Sequence, residues 1–140
     1  MLGDREIFTP EGGPPQAVPG LQEIYSEWGE EGIRNLVSSF YDRIPLSKIA
    51  HMFPEDLALA KQKQGDFIIQ VTGGPPNYSQ KWGPPKMRMR HFPFEINNES
   101  REEWLRCYLL SLNEFEFSSD SKKIFYLFLE QFSLWMVNKR

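Results

Sequence analysis

Residues Lys86–Phe94 read KMRMRHFPF. Cations alternate with methionines, and then a single histidine stands two residues ahead of a proline. Pro84 and Pro85 suit the first turn of a helix, where a missing N–H costs nothing, and Pro93 closes it. On such a helix Met87 and His91 are four apart and share a face. Lys86 and Arg90 share the neighbouring face, and Arg88 points away. Three readings are open: a basic patch for nucleic acid, a metal or cofactor ligand presented by His91, or a buried histidine with no chemistry.

The whole chain weighs against the first. Its net charge is −3 and its pI about 5.4, whereas nucleic-acid binders carry a strong positive field. No nucleic-acid partner is therefore expected. With 140 residues, 40% hydrophobic and 25% charged, the chain reads as one globular domain with a real core. Aromatic content is high, at 11 Phe, 5 Tyr and 4 Trp, which suits bulky packing or a flat apolar ligand. A lone Cys107 excludes a disulfide within the chain and a cysteine-based metal site. Near the apolar line of its helix, Cys107 reads as a small buried hydrophobe. No secretory signal and no run of about 18 apolar residues is present, so no membrane partner and a cytoplasmic location are expected.

Along the chain, residues 1–20 hold four prolines and four glycines and read as a flexible extension outside the core. Residues 21–140 read as the domain proper. LQEIYSEW is a short amphipathic piece ending at Gly29. Ile33, Leu36, Val37, Phe40, Tyr41 and Ile44 then line one helical face, up to Pro45. A short connecting piece, SKIAHMFP, leads to a helix over DLALAKQKQGDFIIQVT. Its inward stripe contains one polar side chain, Gln64, while Asp66 falls elsewhere. GGPPNYSQKWGPP reads as a loop. After it come the His91 helix, a helix capped by Asn98 or Ser100 that carries Trp104, and a last helix that is apolar nearly all round. The expected class is all-α, with about six helices.

Phosphate-cradling glycine loops, G-x-S-x-G and H-E-x-x-H are all missing. Tyr41, Gln64 and Trp104 stand out instead, as polar groups on apolar faces of three helices. Each alone is compatible with ordinary packing. Set beside a lone histidine on a fourth helix, they suggest a large flat cofactor between His91 and a set of hydrogen-bond donors.

Five stretches make the resemblance specific: FYDRI at 40–44, MFPEDL at 52–57, GGPPNY at 73–78, RMRHFPF at 88–94 and EEWLRCY at 102–108. In this order and spacing they resemble the group II (O-type) truncated haemoglobins of bacteria, over roughly residues 22–138. The resemblance implies a two-over-two helical sandwich around haem b. It implies that His91 is the proximal iron ligand, neutral at the ligating nitrogen, its other nitrogen donating to a backbone carbonyl. Met87 would lie against the ring one turn earlier, and Phe53 would pack on its edge. Ala60 would leave a small-residue gap for ligand entry, with Phe67 and Ile68 as walls. Tyr41, Gln64 and Trp104 would form the distal donor set. Arg90 first, then Arg88, with Lys86 and Tyr78 as further candidates, would meet the haem propionates. Pro84 stands where the group usually has a histidine that is not an iron ligand. His51 reads as surface or packing.

The resemblance implies an oxygen-binding haem protein, with nitric oxide, carbon monoxide or peroxide as further ligands. Redox chemistry is the alternative, as a nitric oxide dioxygenase or peroxidase-like enzyme. The chain has no flavin or nicotinamide module, so that chemistry would need an external reductase. Oxygen transport belongs to the same family reading, and the assembly is expected to be a monomer or a homodimer.

Overall fold

The structure, a computed structural model, describes residues 6–140. Residues 1–5 of the expected extension lie outside the described residues. Six α-helices follow one another: α1 (Ile24–Arg43), α2 (Ala58–Val71), α3 (Asn77–Trp82), α4 (Met87–His91), α5 (Asn98–Leu112) and α6 (Ser119–Met136). Short 3-10 turns cover Leu21–Glu23, Ile44–Leu46 and Ala50–Met52. There is no strand among the described residues.

The helices form two packed pairs, α1 on α2 and α5 on α6, joined where α1 meets α5. This is the two-over-two sandwich. Its centre is aromatic. Phe40 of α1 stacks on Tyr108 of α5 with ring centres 4.0 Å apart, and Phe125 of α6 meets Tyr108 edge-on at 6.2 Å. Ile33, Leu36 and Val37 fill the same seam and are buried, as their spacing predicts.

Local chemistry explains most boundaries. Gly29 has φ 70° and ψ 171°, so α1 is kinked there and the two helical pieces read from the sequence join across the break. Asp56 accepts the Ala58 N–H at 3.0 Å just ahead of α2. Asn97, one residue earlier than expected, caps α5 by accepting the Ser100 N–H at 2.9 Å. Ser118 caps α6 through the Ser121 N–H.

Three sequence expectations change. The loop after Gly73 and Gly74 contains α3, six residues in length. Gln70 on α2 fixes it, since its side chain bonds both the N–H and the hydroxyl of Ser79 at 2.9 Å. Asp66 is fully buried rather than on an outer face. It accepts from Arg34 at 2.8 Å and from the Trp82 indole at 2.9 Å, and so ties α1, α2 and α3 together. Burial opposes its ionisation, but those two hydrogen bonds and the charges of Lys81 and Arg34 outweigh it and hold the carboxyl below its usual range. Finally, the segment before Leu21 does not all lie outside the core. Val18 is buried with the α1 residues, and the Phe8 N–H donates to the Asn138 carbonyl at 3.0 Å. Apolar Phe8 and Val18 gain more from burial than the proline-rich composition around them suggests.

Candidate functional site

Between the two helix pairs lies a cavity of about 120 Å³. Its walls bring together Tyr41, Phe53, Gln64, Met87, His91 and Trp104. The sequence had placed these residues on five separate segments.

His91 ends α4. Its Nδ1–H donates to the Met87 carbonyl at 2.6 Å. A carbonyl only accepts, so Nδ1 carries the proton and Nε2 keeps its lone pair. Burial lowers the imidazole pKa, while the Met87 carbonyl works in the opposite direction; the net shift is downward. The ring is therefore held neutral and in one tautomer, the state a metal-ligating histidine needs.

Across the cavity, Tyr41 is buried, edge-on to Phe40 at 5.1 Å and Phe53 at 5.8 Å. Burial alone raises its pKa, so it remains a neutral O–H donor. Among the described residues nothing accepts from it. The Trp104 indole N–H likewise has no protein acceptor there, and its ring packs on Tyr108 at 4.9 Å. Gln64 differs. Its side-chain amide donates at 2.8 Å to the hydroxyl of Tyr108. Tyr108 is fully buried, and burial raises its pKa. The expected distal trio is thus two donors without protein partners plus a glutamine whose amide is held from behind. No role for Tyr108 was legible in the sequence, because a hydroxyl that accepts from Gln64 has no sequence signature.

The remaining expected residues sit elsewhere. Phe67 and Ile68 are buried behind the wall; Phe67 packs on Phe132, which does line the cavity. Ala60 packs partly buried against the core without lining the cavity. Tyr78 is buried edge-on to Phe67 at 5.9 Å. Neither arginine of α4 lines the cavity. Arg90 donates to the carbonyls of Pro85 at 2.7 Å, Pro84 at 2.8 Å and Trp82 at 3.2 Å, and so closes its own loop. Arg88 donates to the carbonyls of Phe8 and Val137, both at 2.8 Å, and to that of Trp135. Carbonyls left over at loop and chain ends compete for guanidinium donors, and that competition is invisible in a spacing pattern. Lys86, at φ 39°, precedes α4 and also lies away from the cavity. The cationic side chain that does reach the cavity wall is Arg101, accompanied by Ser100. His51 is exposed, and Cys107 is buried with its thiol pushed up by burial.

The donor set fits haem. One neutral imidazole nitrogen faces an aromatic cavity, two N–H or O–H donors without protein acceptors stand opposite, and Ser100 and Arg101 supply a polar edge. The enclosed volume is below the roughly 300–1,000 Å³ of ordinary ligand sites, so the walls must part for so large a ring.

The sequence of residues 23–138 matches the family model described as bacterial-like globin. The group 2 truncated haemoglobin YjbI of Bacillus subtilis is 36% identical over 118 residues, covering 82% of this chain and 88% of its own length. The crystal structure of the truncated oxygen-avid haemoglobin from Bacillus subtilis superposes with a TM-score of 0.79 at 35% identity, over 81% of this chain and 98% of that one. Phosphate-bound Hell's gate globin IV superposes with a TM-score of 0.82 at 33% identity, over 95% of this chain and 88% of its own.

Proposed function

This chain belongs to the bacterial-like globin family, in its group II truncated branch, and from that premise we propose that it binds dioxygen tightly at a haem b held by His91. The observation that carries the reading is the pairing of His91, whose Nδ1–H donates to the Met87 carbonyl, with two partnerless donors across one aromatic cavity. Haem, when bound, supplies the iron at which a diatomic ligand is held. His91 would hold the iron through Nε2, and the Met87 carbonyl fixes the ring's rotation and raises its basicity. Tyr41 and Trp104 supply an O–H and an N–H to the side where the ligand gathers negative charge. Gln64 is held back by Tyr108, so it shapes the pocket before it donates. Phe53 and Phe132 exclude water, which strengthens each remaining polar contact. Ser100 and Arg101 line the cavity and would meet a propionate there, with Arg101 turning from its present bonds to the Ser133 hydroxyl at 3.0 Å and the Glu130 carbonyl at 2.9 Å.

Tight hydrogen bonding suits retention of oxygen over its delivery. It equally suits oxidation of nitric oxide by held oxygen, the second reading, because the same donors stabilise charge growing on the oxygens. That reaction needs an external reductase to restore the ferrous state. Rapid mixing of the reduced, oxygenated protein with nitric oxide separates the two. Nitrate formation faster than spontaneous oxygen release supports the dioxygenase; simple displacement at the oxygen off-rate supports a binder. An absence of any stable oxygenated spectrum on exposing the reduced protein to air would sink both.

A further inference from the structure

α4 is five residues long and carries His91, which would hold the iron. A helix that short has no stability of its own. Its orientation must come from what grips it, and the structure shows the grip. Three residues before His91, Arg88 spreads its guanidinium over three carbonyls: Val137 at 2.8 Å and Trp135 from the end of α6, and Phe8 at 2.8 Å from the N-terminal segment. Its plane also lies over the Trp135 ring, 4.4 Å from the centre, and 5.4 Å from Phe92. Phe8 is bound from both sides, because its own N–H donates to the Asn138 carbonyl at 3.0 Å. Its ring packs on a small cluster formed by Ile96, Met136 and Val137. Asn138, fully buried, returns to the same helix, donating to the carbonyls of His91 at 3.3 Å and Phe94 at 2.9 Å and accepting the Ile96 N–H at 3.0 Å.

We infer that the N-terminal segment around Phe8 and the tail after α6 form a proximal clamp, closed by Arg88 and Asn138, that sets the orientation of His91 toward haem. The clamp rests on the haem reading above. Arg88 is a positioning residue in it. Its role depends on a planar fork reaching several carbonyls at once, which a lysine ammonium does not reproduce. The segment's contribution is specific as well, since Phe8 supplies both an acceptor to Arg88 and a donor to the tail. Without those bonds α4 would keep its sequence and lose its fixed bearing on the cavity.

The test uses the full chain with Arg88→Met, Arg88→Lys and Phe8→Pro, the last removing the N–H that reaches Asn138. Two quantities are read: transfer of ferric haem to excess apomyoglobin, and the iron–histidine stretch of the reduced protein by resonance Raman. Supporting groups of a metal ligand typically cost about 10–100-fold in affinity when lost, so Arg88→Met and Phe8→Pro should each speed haem loss by about tenfold or more. Both should displace or broaden the stretch, with Arg88→Lys in between. Trp28→Phe, which loses a 2.9 Å bond to Ser121 at the far end of the fold, should lower stability and leave the stretch unchanged. Parent-like haem loss and an unmoved stretch in Arg88→Met and Phe8→Pro would overturn the clamp. If Arg88→Met does not fold, Phe8→Pro decides. If the parent takes up no haem, the haem reading fails by itself. Amide exchange at α4 then decides the clamp: faster in Phe8→Pro upholds it, and unchanged refutes it.

Discussion

Tyr41 and Tyr108 flank the same ring, Phe40, at 5.1 Å and 4.0 Å, yet removal of their hydroxyls should have opposite consequences. The Tyr41 hydroxyl has no protein acceptor among the described residues, so Tyr41→Phe removes no native hydrogen bond and adds no cavity. Its cost in stability should stay within about 0.5 kcal/mol, the range of substitutions that disturb no partner. Its cost to ligand retention should be large. A hydrogen bond to a charged acceptor contributes about 1.5–3 kcal/mol, and each 1.4 kcal/mol is a factor of ten, so oxygen should leave roughly ten- to a hundredfold faster. Tyr108→Phe is the counterpart. It deletes the 2.8 Å acceptor of Gln64 in a fully buried site and should cost about 1 kcal/mol of stability. It also frees the Gln64 amide to turn toward the ligand, so oxygen should leave no faster and preferably slower. The assays are denaturant unfolding for stability and stopped-flow displacement of oxygen by carbon monoxide for the off-rate. An unchanged off-rate in Tyr41→Phe, or a rise in Tyr108→Phe equal to that in Tyr41→Phe, would refute the division of labour.

Other consequences follow from the same contacts. Gln64→Leu should alter the oxygen off-rate much less than Tyr41→Phe, measured by the same displacement. Asp66→Asn should cost about 2–3 kcal/mol in urea unfolding, because it discharges a fully buried acceptor shared by Arg34 and Trp82. Glu103 is held at a pKa of about 2, first by its bonds from Arg106 at 2.7 and 2.8 Å, against the cost of burial, and then by the Lys48 N–H at 3.0 Å. Its folded pKa lies below the unfolded one, so its stabilisation is complete above the ordinary carboxylate range and is lost as the pH falls toward about 2. Stability measured against pH should therefore decline less steeply in Glu103→Gln than in the parent below pH 4 or so. Gly73→Ala should destabilise severely in a thermal melt, since φ is +102° and a Cβ there would stand 2.0 Å from the Gln22 carbonyl oxygen.

What the sequence disclosed and what it hid divide along physical lines. The apolar stripe of α1, the break at Gly29 and the start of α5, though its cap is Asn97 and not Asn98 or Ser100, are local properties, carried by periodicity and by one or two residues each. They were legible. The cavity wall was legible at Tyr41, Phe53, His91 and Trp104, which lie in the family-like stretches, and at Gln64 and Met87, which share helical faces with apolar or ligand positions. Arg88 and Arg90 were expected at a propionate and serve carbonyls in the structure; a guanidinium suits either acceptor equally well, and only the fold shows which carbonyls are near. Asp66 was read as lying off the inward stripe because its partners, Arg34 and Trp82, stand 32 and 16 residues away. The helix α3 hid inside a glycine- and proline-rich stretch because Gln70, outside that stretch, supplies its anchoring hydrogen bonds. Phe8 and Val18 were discounted with the arm around them, although each alone is an ordinary core residue.

The central claim is that His91 holds haem through Nε2. It is tested most directly by the absorption spectrum of the reduced, air-free protein after stoichiometric haem addition, recorded for the parent, for His91→Gly, and for His91→Gly with free imidazole. The account predicts a histidine-ligated ferrous spectrum in the parent, its loss in His91→Gly, and its return when imidazole fills the space. An unaltered spectrum in His91→Gly would contradict it, because some other group would then be on the iron.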